Sequence, residues 1–581
     1  MRTAYGSIGD DKTCVFSQRF FERNKEMRSN IIRSIIALLL CALLLALAGC
    51  GSGKEPEQGG DTGNNTDASA ASDSTISAHE AEGDFSIVSA DGEFTQSGNV
   101  YTLTKAGTYK LRGALEGQVI VAAGSEDEVV LELSGASISC STDSPIKILS
   151  AGKTEISAKK GTENVINDRR AAKTAENDAQ GEGAVSASCD LKLKGSGTLV
   201  ITAGYNNGVH TSKDLVLQKL SLKVTAYKTA IKGGDSITVK SGRIVAISTD
   251  GDGMKTSNTD ASKSGKTRGD IVIFTGTVSV YAAGDGIQAA HDFEMSADEE
   301  GNSAAVEIYT ASYSSYTSDS TGLDSFKGVK AQNELSIRTG SISVSSYDDG
   351  LHADLGTAFD AGGVGTGNVN ILGGTVTIGV YSPEGKTGGG HMGPHGGPKG
   401  QQSVSGADGI HATGTLTIAG GTVNVDSAYE GIEANVVNIS GGVTVITASD
   451  DGINACRGTS SPAVNVTGGF LDVSVSPHGD VDGIDSNGSY SQTGGVVITR
   501  GPNQHMAAAI DSENGSSVTG GTLVVLGYGS VQAGGSVKSV SLSLHSSGSH
   551  SVTVGGKEYA FNNSYDYGTT ACWSDTSISG K

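Results

Sequence analysis

The stretch that decides the fold is residues 408–455, DGIHATGTLTIAGGTVNVDSAYEGIEANVVNISGGVTVITASDDGINA. It contains three copies of one short phrase (DGIHA, EGIEA, DGINA) and two copies of a second (GGTVNV, GGVTVI). Both phrases alternate apolar and polar residues over about four positions, which is the period of a strand with one buried face. Neither phrase is long enough for a helix, and the paired glycines supply turns with positive φ.

The first phrase recurs along much of the chain, and successive copies lie 21 or more residues apart. A unit of two or three short strands cannot bury its own apolar face, so such units stack and share one core. We therefore predict an all-β fold, a right-handed single-stranded parallel β-helix in which each repeat is one coil. A β-propeller would need blades of about 40 residues or more, and leucine-rich repeats would need periodic leucine. The apolar residues that mark the predicted coils are Val185, Val209, Ile231, Met254, Ile287, Leu323, Leu351, Ile410, Ile432, Ile453, Ile484 and Ile510.

The composition agrees with a solenoid and excludes other classes. Of 581 residues 85 are glycine and 8 are proline, with no G-X-Y period, which rules out collagen. The formal net charge is −22, from 41 basic and 63 acidic residues. Because a nucleic-acid partner requires a basic face, this acidity argues against one.

The N-terminal region resembles a lipoprotein signal. Residues 27–50 read MRSNIIRSIIALLLCALLLALAGC, with two arginines, an apolar run and a final LAGC that resembles the bacterial lipobox. An ordinary membrane-spanning helix is the alternative, but the apolar run is short for a span of about 20 residues. We predict a lipid on Cys50, which would anchor the chain to the extracellular face of the cell membrane.

Acidic residues precede the repeated glycine in one register. In a stack, one register becomes one edge, so carboxylates of successive coils are expected about 4.8 Å apart. Like charges this close raise each other's pKa unless a cation neutralises them, and oxygen ligands on turns suit Ca²⁺ better than zinc. For any single copy, aspartate before glycine is also ordinary turn chemistry. The predicted calcium ligands are Asp250, Asp252, Asp285, Asp348, Asp349, Asp408, Asp450, Asp451, Asp480 and Asp482, and Glu430 shares their register.

The residue that follows the apolar marker is polar in many copies. It is expected to face outward, because it alternates with an inward-facing neighbour on each side. These side chains should form a shallow polar strip of hydrogen-bonding groups beside the acidic edge. The members of the strip that we predict to contact the ligand are Lys255, His352, His411, Glu433 and Asn454.

Four of the repeated segments carry a family resemblance. AGYNNGVHTSKDLVL, TDGDGMKTSN, YDDGLHAD and SDDGINA resemble the carbohydrate-binding β-helix lipoproteins of clostridia and related bacteria, over about residues 85–560. The resemblance implies an extracellular, calcium-bearing parallel β-helix, similar in fold to pectate lyases, that binds cellulose or acidic sugars. NNGVH, YKTAI and STGLD lack the aspartate before the glycine position, so not every coil is expected to hold an ion.

We therefore predict a non-catalytic, monomeric surface lipoprotein that binds a polysaccharide such as cellulose or polygalacturonate in a Ca²⁺-dependent way. The first alternative is a calcium-dependent polysaccharide lyase, which needs a base beside the metal. Lys255 is the best-placed base in the sequence and Lys232 the next, although a lysine among carboxylates tends to keep its proton. The second alternative is a structural adhesin.

These features divide the chain into six predicted segments. β caps are expected at both ends of the stack, because exposed strand edges template aggregation. The segment after Cys50 is polar and of low complexity, which is typical of a flexible, disordered tether. The segments are 1–26 (an upstream extension or misassigned start), 27–49 (signal peptide), 50–83 (lipidated cysteine and tether), 84–180 (N-terminal cap and first coils), 181–521 (carbohydrate-binding β-helix) and 522–581 (C-terminal β cap).

Overall fold

A computed structural model of the protein describes residues 76–174, 181–262, 265–311, 325–354, 358–359, 363–381, 406–456, 458, 460–504 and 507–581. The described residues all belong to one compact unit, residues 70–581. These residues form 46 strands, β1–β46 in chain order, and no helix, which confirms the all-β class. They therefore contain no helix that could cross a membrane. Cys50 and the predicted signal peptide lie outside the described residues.

The first phrase forms the first of three parallel ladders, in which each short strand pairs with the equivalent strand of the next repeat. Strands β31 (Ile410–Ile418) and β33 (Ile432–Ile439) belong to this ladder and continue into the second. The other strands of the first ladder are β3 (Val100–Leu103), β5 (Gln118–Ala122), β7 (Ile146–Ser150), β10 (Gly183–Ala187), β13 (Asn207–Thr211), β15 (Ile231–Gly233), β17 (Met254–Thr256), β20 (Ile287–Ala289), β23 (Val329–Ala331), β26 (Leu351–Ala353), β35 (Ile453–Ala455) and β38 (Ile484–Ser486).

The second phrase forms the third ladder, and a second ladder lies between the two along the chain. Strands of the second ladder alone are β8 (Lys153–Ala158), β11 (Asp190–Gly195), β18 (Asp270–Ile273), β21 (Phe293–Met295), β24 (Glu334–Ile337), β29 (Asn368–Ile371), β36 (Ala463–Val466) and β41 (Gln532–Ala533). Strands of the third ladder alone are β9 (Glu163–Asp168), β12 (Thr198–Ala203), β19 (Gly276–Ala282), β22 (Ala304–Thr310), β25 (Ser341–Ser346), β30 (Thr375–Val380), β32 (Thr422–Ser427), β34 (Val443–Thr447) and β37 (Phe470–Ser474). Six longer strands run through both ladders: β4 (Gly107–Glu116), β6 (Glu128–Cys140), β14 (Asp214–Ala226), β16 (Ser236–Ser248), β39 (Ser489–Arg500) and β40 (Ser516–Leu526).

The strand register agrees with the repeat markers at all but one position. Each marker from Val185 to Ile287 pairs with the next, as the sequence predicts. Ile287 then pairs with Val329, and Val329 with Leu351, so Val329 holds the position that the sequence pattern assigns to Leu323. The segment around Val329 reads KGVKA and has a lysine where other copies have an acidic residue, which hides it from a search for the acidic phrase.

Glycine before the first-ladder strands is required by close packing. A Cβ atom at Gly431 would lie 2.2 Å from Cγ2 of Ile446, and one at Gly452 would lie 2.1 Å from Cγ1 of Val473. Any side chain there would displace core atoms of the third ladder. The acidic residue just before each glycine therefore occupies a fixed place at the edge of the coil.

Antiparallel strands lie at both ends of the ladders. At the N-terminal end β1 (Ser86–Ser89) pairs with β4, and β2 (Phe94–Ser97) pairs with β3. Within the predicted tether, Ile76 is buried against Val245 and Ile247. At the C-terminal end β45 pairs with β40 and covers the last coil. The remaining strands are β27 (Ala358–Phe359), β28 (Gly363–Val364), β42 (Lys538–Ser539), β43 (Gly548–Val554), β44 (Lys557–Asn563), β45 (Thr570–Ser574) and β46 (Ile578–Gly580).

Candidate functional site

Residues that precede the glycine of successive coils stack into one row, which we call the acidic column. Backbone bonds join its members: the N–H of Gly253 donates to the carbonyl of Asp285 at 3.0 Å, and that of Gly350 to Asp408 at 2.9 Å. The same bond recurs in the coils between and beyond them. The acidic column consists of Asp252, Asp285, Lys327, Asp349, Asp408, Glu430, Asp451 and Asp482.

Several carboxylates of the acidic column bond to the backbone of the following coil. The N–H of Asp285 donates to Oδ1 of Asp252 at 3.1 Å, and the N–H of Asp408 donates to Oδ1 of Asp349 at 2.8 Å. Asp451 accepts in the same way from the N–H of Asp482, at 2.7 Å. These aspartates therefore help to hold successive coils together, and each keeps its second carboxylate oxygen for another partner.

The other four predicted metal ligands lie beside the acidic column rather than in it. Asp250 forms an ion pair with Lys228, and Asp348 forms one with Lys327. Asp480 is exposed, two residues before the column position. Asp450 lies one residue before Asp451, next to the hydroxyl of Tyr429.

Lys327 supplies a cation inside the acidic column. Its Nζ atom lies 2.9 Å from Oδ2 of Asp348 and 2.8 Å from Oδ2 of Asp349. Burial would raise the pKa of Asp349, but the hydrogen bond from His352 and the charge of Lys327 outweigh it and lower that pKa. The chain thus neutralises this coil itself, and the donor set at Asp348 and Asp349 does not fit Ca²⁺.

Two histidines follow on the neighbouring polar strip. Nδ1 of His352 lies 2.7 Å from Oδ2 of Asp349, and Nδ1 of His411 lies 3.1 Å from Oδ2 of Asp408. The two rings stack with centroids 4.7 Å apart and planes 11° apart. Burial opposes the charge on His411, but its contacts with Asp408 and Glu433 outweigh burial and raise its pKa to about 11. His411 is therefore a second internal cation.

Beyond His411 the acidic column has more carboxylates than cations. Burial, reinforced by neighbouring carboxylates, raises the pKa of Glu430 to about 10 and that of Asp482 to about 7. Burial also raises the pKa of Asp451 to about 8. No ion pair among the described residues involves these three groups. This end of the column must hold either protons or an external cation.

Two buried oxygen atoms at this end have no hydrogen-bond partner. Glu430 is 9% exposed and Asn454 is 6% exposed, and Nδ2 of Asn454 donates to Oε1 of Glu430 at 3.2 Å. Oε2 of Glu430 and Oδ1 of Asn454 are left without a partner. Because Ca²⁺ prefers oxygen ligands, this donor set fits a calcium ion.

A polar cleft of about 310 Å³ opens at the other end of the acidic column. Nζ of Lys255 lies 2.7 Å from Oδ2 of Asp252 in its wall. One coil earlier Lys232 pairs in register with Lys255, and burial and the Lys255 charge lower the pKa of Lys232. The polar cleft is lined by Lys228, Thr229, Asp250, Gly251, Asp252, Lys255, Asp285, Gln288, Ser325 and Lys330.

The structure aligns the predicted polar strip but buries part of it. Register pairs join Lys255 to Gln288, and His352 to His411, Glu433 and Asn454. His352 is 8% exposed, and both it and Asn454 bond to the acidic column.

Of the five strip residues predicted to contact the ligand, Lys255 alone lines the polar cleft. Sequence reasoning missed Lys228, Ser325 and Lys330, which also line it. The phrase KGVKA could have located Lys330, because the lysine follows Val329 as Lys255 follows Met254.

The chain is similar to one described relative, one solved structure and one family model. A relative from Acetivibrio thermocellus, described as a carbohydrate-binding domain-containing protein, is 31% identical over 199 residues, which span 33% of this chain and 66% of the relative. The solved structure of the polysaccharide lyase-like protein from C. thermocellum, a gadolinium derivative, is 29% identical and matches 43% of this chain and 90% of its own with a TM-score of 0.36. The family model described as carbohydrate-binding domain-containing protein matches residues 97–382 and 364–452. Because these matches cover more than half of the chain, the protein belongs to the carbohydrate-binding domain-containing family.

Proposed function

We propose that the protein is a non-catalytic binder of an acidic polysaccharide such as polygalacturonate, built as a right-handed parallel β-helix. The observation that carries the proposal is the polar cleft, where the side chains of Lys228, Lys255 and Lys330 meet carboxylates in about 310 Å³. Ammonium groups suit the carboxylates of a uronate chain, and Asp and Gln side chains suit its hydroxyls. The volume lies in the range of about 300–1,000 Å³ that is usual for ligand sites.

Calcium binding is part of the proposal. Glu430, with Asp451 and Asn454 of the adjacent repeat, would hold the ion, as the unpartnered oxygens of Glu430 and Asn454 suggest. When bound, calcium supplies positive charge to an edge that would otherwise repel a polyanion, since the chain carries a net charge of −22. The lysines of the polar cleft would contact the uronate carboxylates directly, while bound calcium lowers the repulsion along the same edge, so we expect retention to need both.

The first prediction concerns retention on immobilised polygalacturonate. We expect the protein to be retained in the presence of Ca²⁺ and to be released by EDTA, because chelation leaves the acidic column uncompensated. We also expect Lys330→Gln to weaken retention about tenfold at constant Ca²⁺, since it removes one charged contact in the polar cleft. Frontal affinity chromatography measures both effects.

The matched control is Lys110→Gln, which changes an exposed lysine on β4, in the first coils. It removes the same charge at a position outside the polar cleft, so it should leave retention unchanged. A loss confined to Lys330→Gln then cannot be explained by net charge. Retention that survives EDTA would refute the role of calcium. Equal losses in the two lysine variants would refute the role of the polar cleft.

A polysaccharide lyase is the second candidate, and the environment of Lys232 favours it. Lys255 forms an ion pair with Asp252 at 2.7 Å, whereas burial lowers the pKa of Lys232. In the elimination, a neutral amine would take the C5 proton of a uronate, the C4–O bond would break, and the leaving oxygen would take up a proton. The product is an unsaturated uronate with a conjugated C4=C5 bond.

The second prediction separates binder from lyase. We expect no rise in ultraviolet absorbance when the protein and Ca²⁺ are incubated with polygalacturonate, because Lys255 is paired with Asp252 and Lys232 does not line the polar cleft. A rise with the native protein that disappears in Lys232→Met would make the protein a lyase. A commercial pectate lyase serves as the positive control for substrate and detection.

The cellular setting is also proposed. The lipobox-like LAGC supports a lipid anchor on Cys50 and a place on the extracellular face of the membrane, with a monomeric β-helix held away from it. A structural adhesin remains the alternative for such a surface protein. A glycan array without hits, together with retention on other cells, would favour the adhesin.

A further inference from the structure

A second cavity lies far along the ladders from the polar cleft. It is a groove of about 580 Å³ between the third ladder and strand β44 of the C-terminal cap, which we call the cap groove. It is formed by coils later in the chain than those of the polar cleft. The cap groove is lined by Gly442, Val443, Gly468, Gly469, Phe470, Gly495, Val496, Lys557, Glu558, Tyr559 and Ala560.

The floor of the cap groove is bare backbone. Gly442, Gly469 and Gly495 have φ values of 76°, 80° and 74°, a region that favours glycine. A Cβ atom on Gly442 would also lie 2.6 Å from the carbonyl oxygen of Gly421 in the preceding coil. The fold therefore keeps these three positions free of side chains on successive repeats, so part of the groove floor is backbone alone, on which an extended chain can lie.

The wall of the cap groove is aromatic. The rings of Phe470 and Tyr559 lie 5.0 Å apart with planes tilted by 40°, and both are partly exposed. Nζ of Lys557 lies 4.8 Å from the ring centre of Tyr559. Aromatic rings that present an apolar face and a polar edge suit the apolar face and hydroxyl rim of a sugar ring.

The charge of the cap groove differs from that of the acidic column. Glu558 is already paired with Lys581 at 3.0 Å and accepts a hydrogen bond from Ser551 at 2.7 Å. Lys557 is the opposite charge in the same wall. A cavity with balanced charges and aromatic walls favours a neutral ligand over a polyanion.

We propose that the cap groove is a second glycan site, which binds a neutral, extended polysaccharide chain independently of calcium. Sugar rings would stack on Phe470 and Tyr559, and their hydroxyls would bond to Lys557, Glu558 and the glycine backbone. This goes beyond the proposed function, because it assigns a different class of ligand to a second surface. Most residues of that surface lie outside the part of the chain that the family model matches. One chain could then hold acidic and neutral polysaccharides at the same time.

The test is isothermal titration calorimetry of the full chain with cellohexaose, a soluble neutral β-glucan fragment. We expect binding that EDTA does not change and that Val443→Arg weakens at least tenfold, because the new side chain fills the groove. Val443 is 38% exposed, so this substitution leaves the core intact. The matched control is Thr375→Arg, two coils away in the same register and outside the groove, which should bind like the native protein.

A second variant, Tyr559→Leu, removes the aromatic face while keeping an apolar side chain, and it should also weaken binding. Absence of cellohexaose binding, or equal binding by the native protein and Val443→Arg, would overturn the proposal. So would a dimer that Val443→Arg dissociates, because the groove would then hold a second copy of the chain. A failure to retain the protein on polygalacturonate would refute the proposed function but not the proposal for the cap groove, which cellohexaose binding tests. The two proposals can therefore be refuted independently.

Discussion

Replacing Arg500 by leucine is expected to lower the free energy of unfolding by about 3–5 kcal/mol, because it leaves a buried carboxylate without its cation. Arg500 is 1% exposed. Its Nη1 atom forms an ion pair with Asp472 and donates to the carbonyl of Val473 at 2.9 Å, and its Nε atom donates to Oδ1 of Asn563 at 2.7 Å. A leucine can make none of these bonds.

The loss should be concentrated in the C-terminal cap. Asn563 belongs to β44 and also donates to the carbonyl of Leu544, while the Arg500 guanidinium lies 5.1 Å from the ring of Phe561 on the same strand. Arg500 therefore ties the cap to the last coils. Amide hydrogen exchange should show β43 and β44 less protected in Arg500→Leu, in addition to the lower midpoint in denaturant.

The matched control for this prediction is Arg338→Leu. Arg338 forms an ion pair with Glu294 at 3.2 Å, but its side chain is 47% exposed, and exposed pairs contribute little. Adding Asp472→Leu to Arg500→Leu should recover part of the loss, because the unpaired charge is then gone. Equal effects of the two arginine substitutions would contradict the account.

The ladders could be predicted from the sequence because the apolar period determines which residues stack. Val209 and Ile231, for instance, occupy the same place in the phrase and pair in the structure. The prediction failed at Val329, because the nearby segment TGLDSF also fits the phrase. The apolar residue, rather than the aspartate, carries the register, since Ile231 follows an alanine and still pairs with Met254.

The sequence predicted which acidic residues align along the ladder, but not which side chains bond to each other. A repeat determines the alignment of equivalent positions and carries no information on their hydrogen-bond partners. Asp285 and Asp451 fall in line as the register requires. The ion pair between Lys255 and Asp252 and the burial of His352 depend on how side chains pack around the polar strip. The spacing of residues in the sequence does not predict this packing. The cap groove was not predictable at all, because it joins Phe470 to Tyr559, 89 residues later, outside the repeat.

Lys327 is the clearest departure of the structure from the repeat, and its removal gives the second large prediction. Lys327→Met should cost about 3–5 kcal/mol at neutral pH without calcium, because Asp348 and Asp349 lose the cation between them. Thermal denaturation in a chelated buffer measures the loss. Lys105→Met, which breaks an exposed pair with Glu93, is the matched control and should change little.

The pH dependence follows from the direction of the Asp349 pKa. Lys327 and His352 hold that pKa below the ordinary value of 3.8, so the pair stabilises the fold above that pH. This contribution is lost as the pH falls through the lowered value in the folded state. The difference in stability between the native protein and Lys327→Met should therefore narrow below about pH 4.

Calcium should restore the variant more than it stabilises the native protein. With Lys327 gone, Asp348 and Asp349 present surplus carboxylates, the condition already found at Glu430 and Asp451. An ion bound there at a hundredfold excess over its dissociation constant would return about 2.7 kcal/mol. Equal stabilisation of both proteins by Ca²⁺ would show that Lys327 does not replace an ion. A larger effect on Lys327→Met would mean that the acidic column uses a lysine at one repeat for the task that we propose for calcium at others.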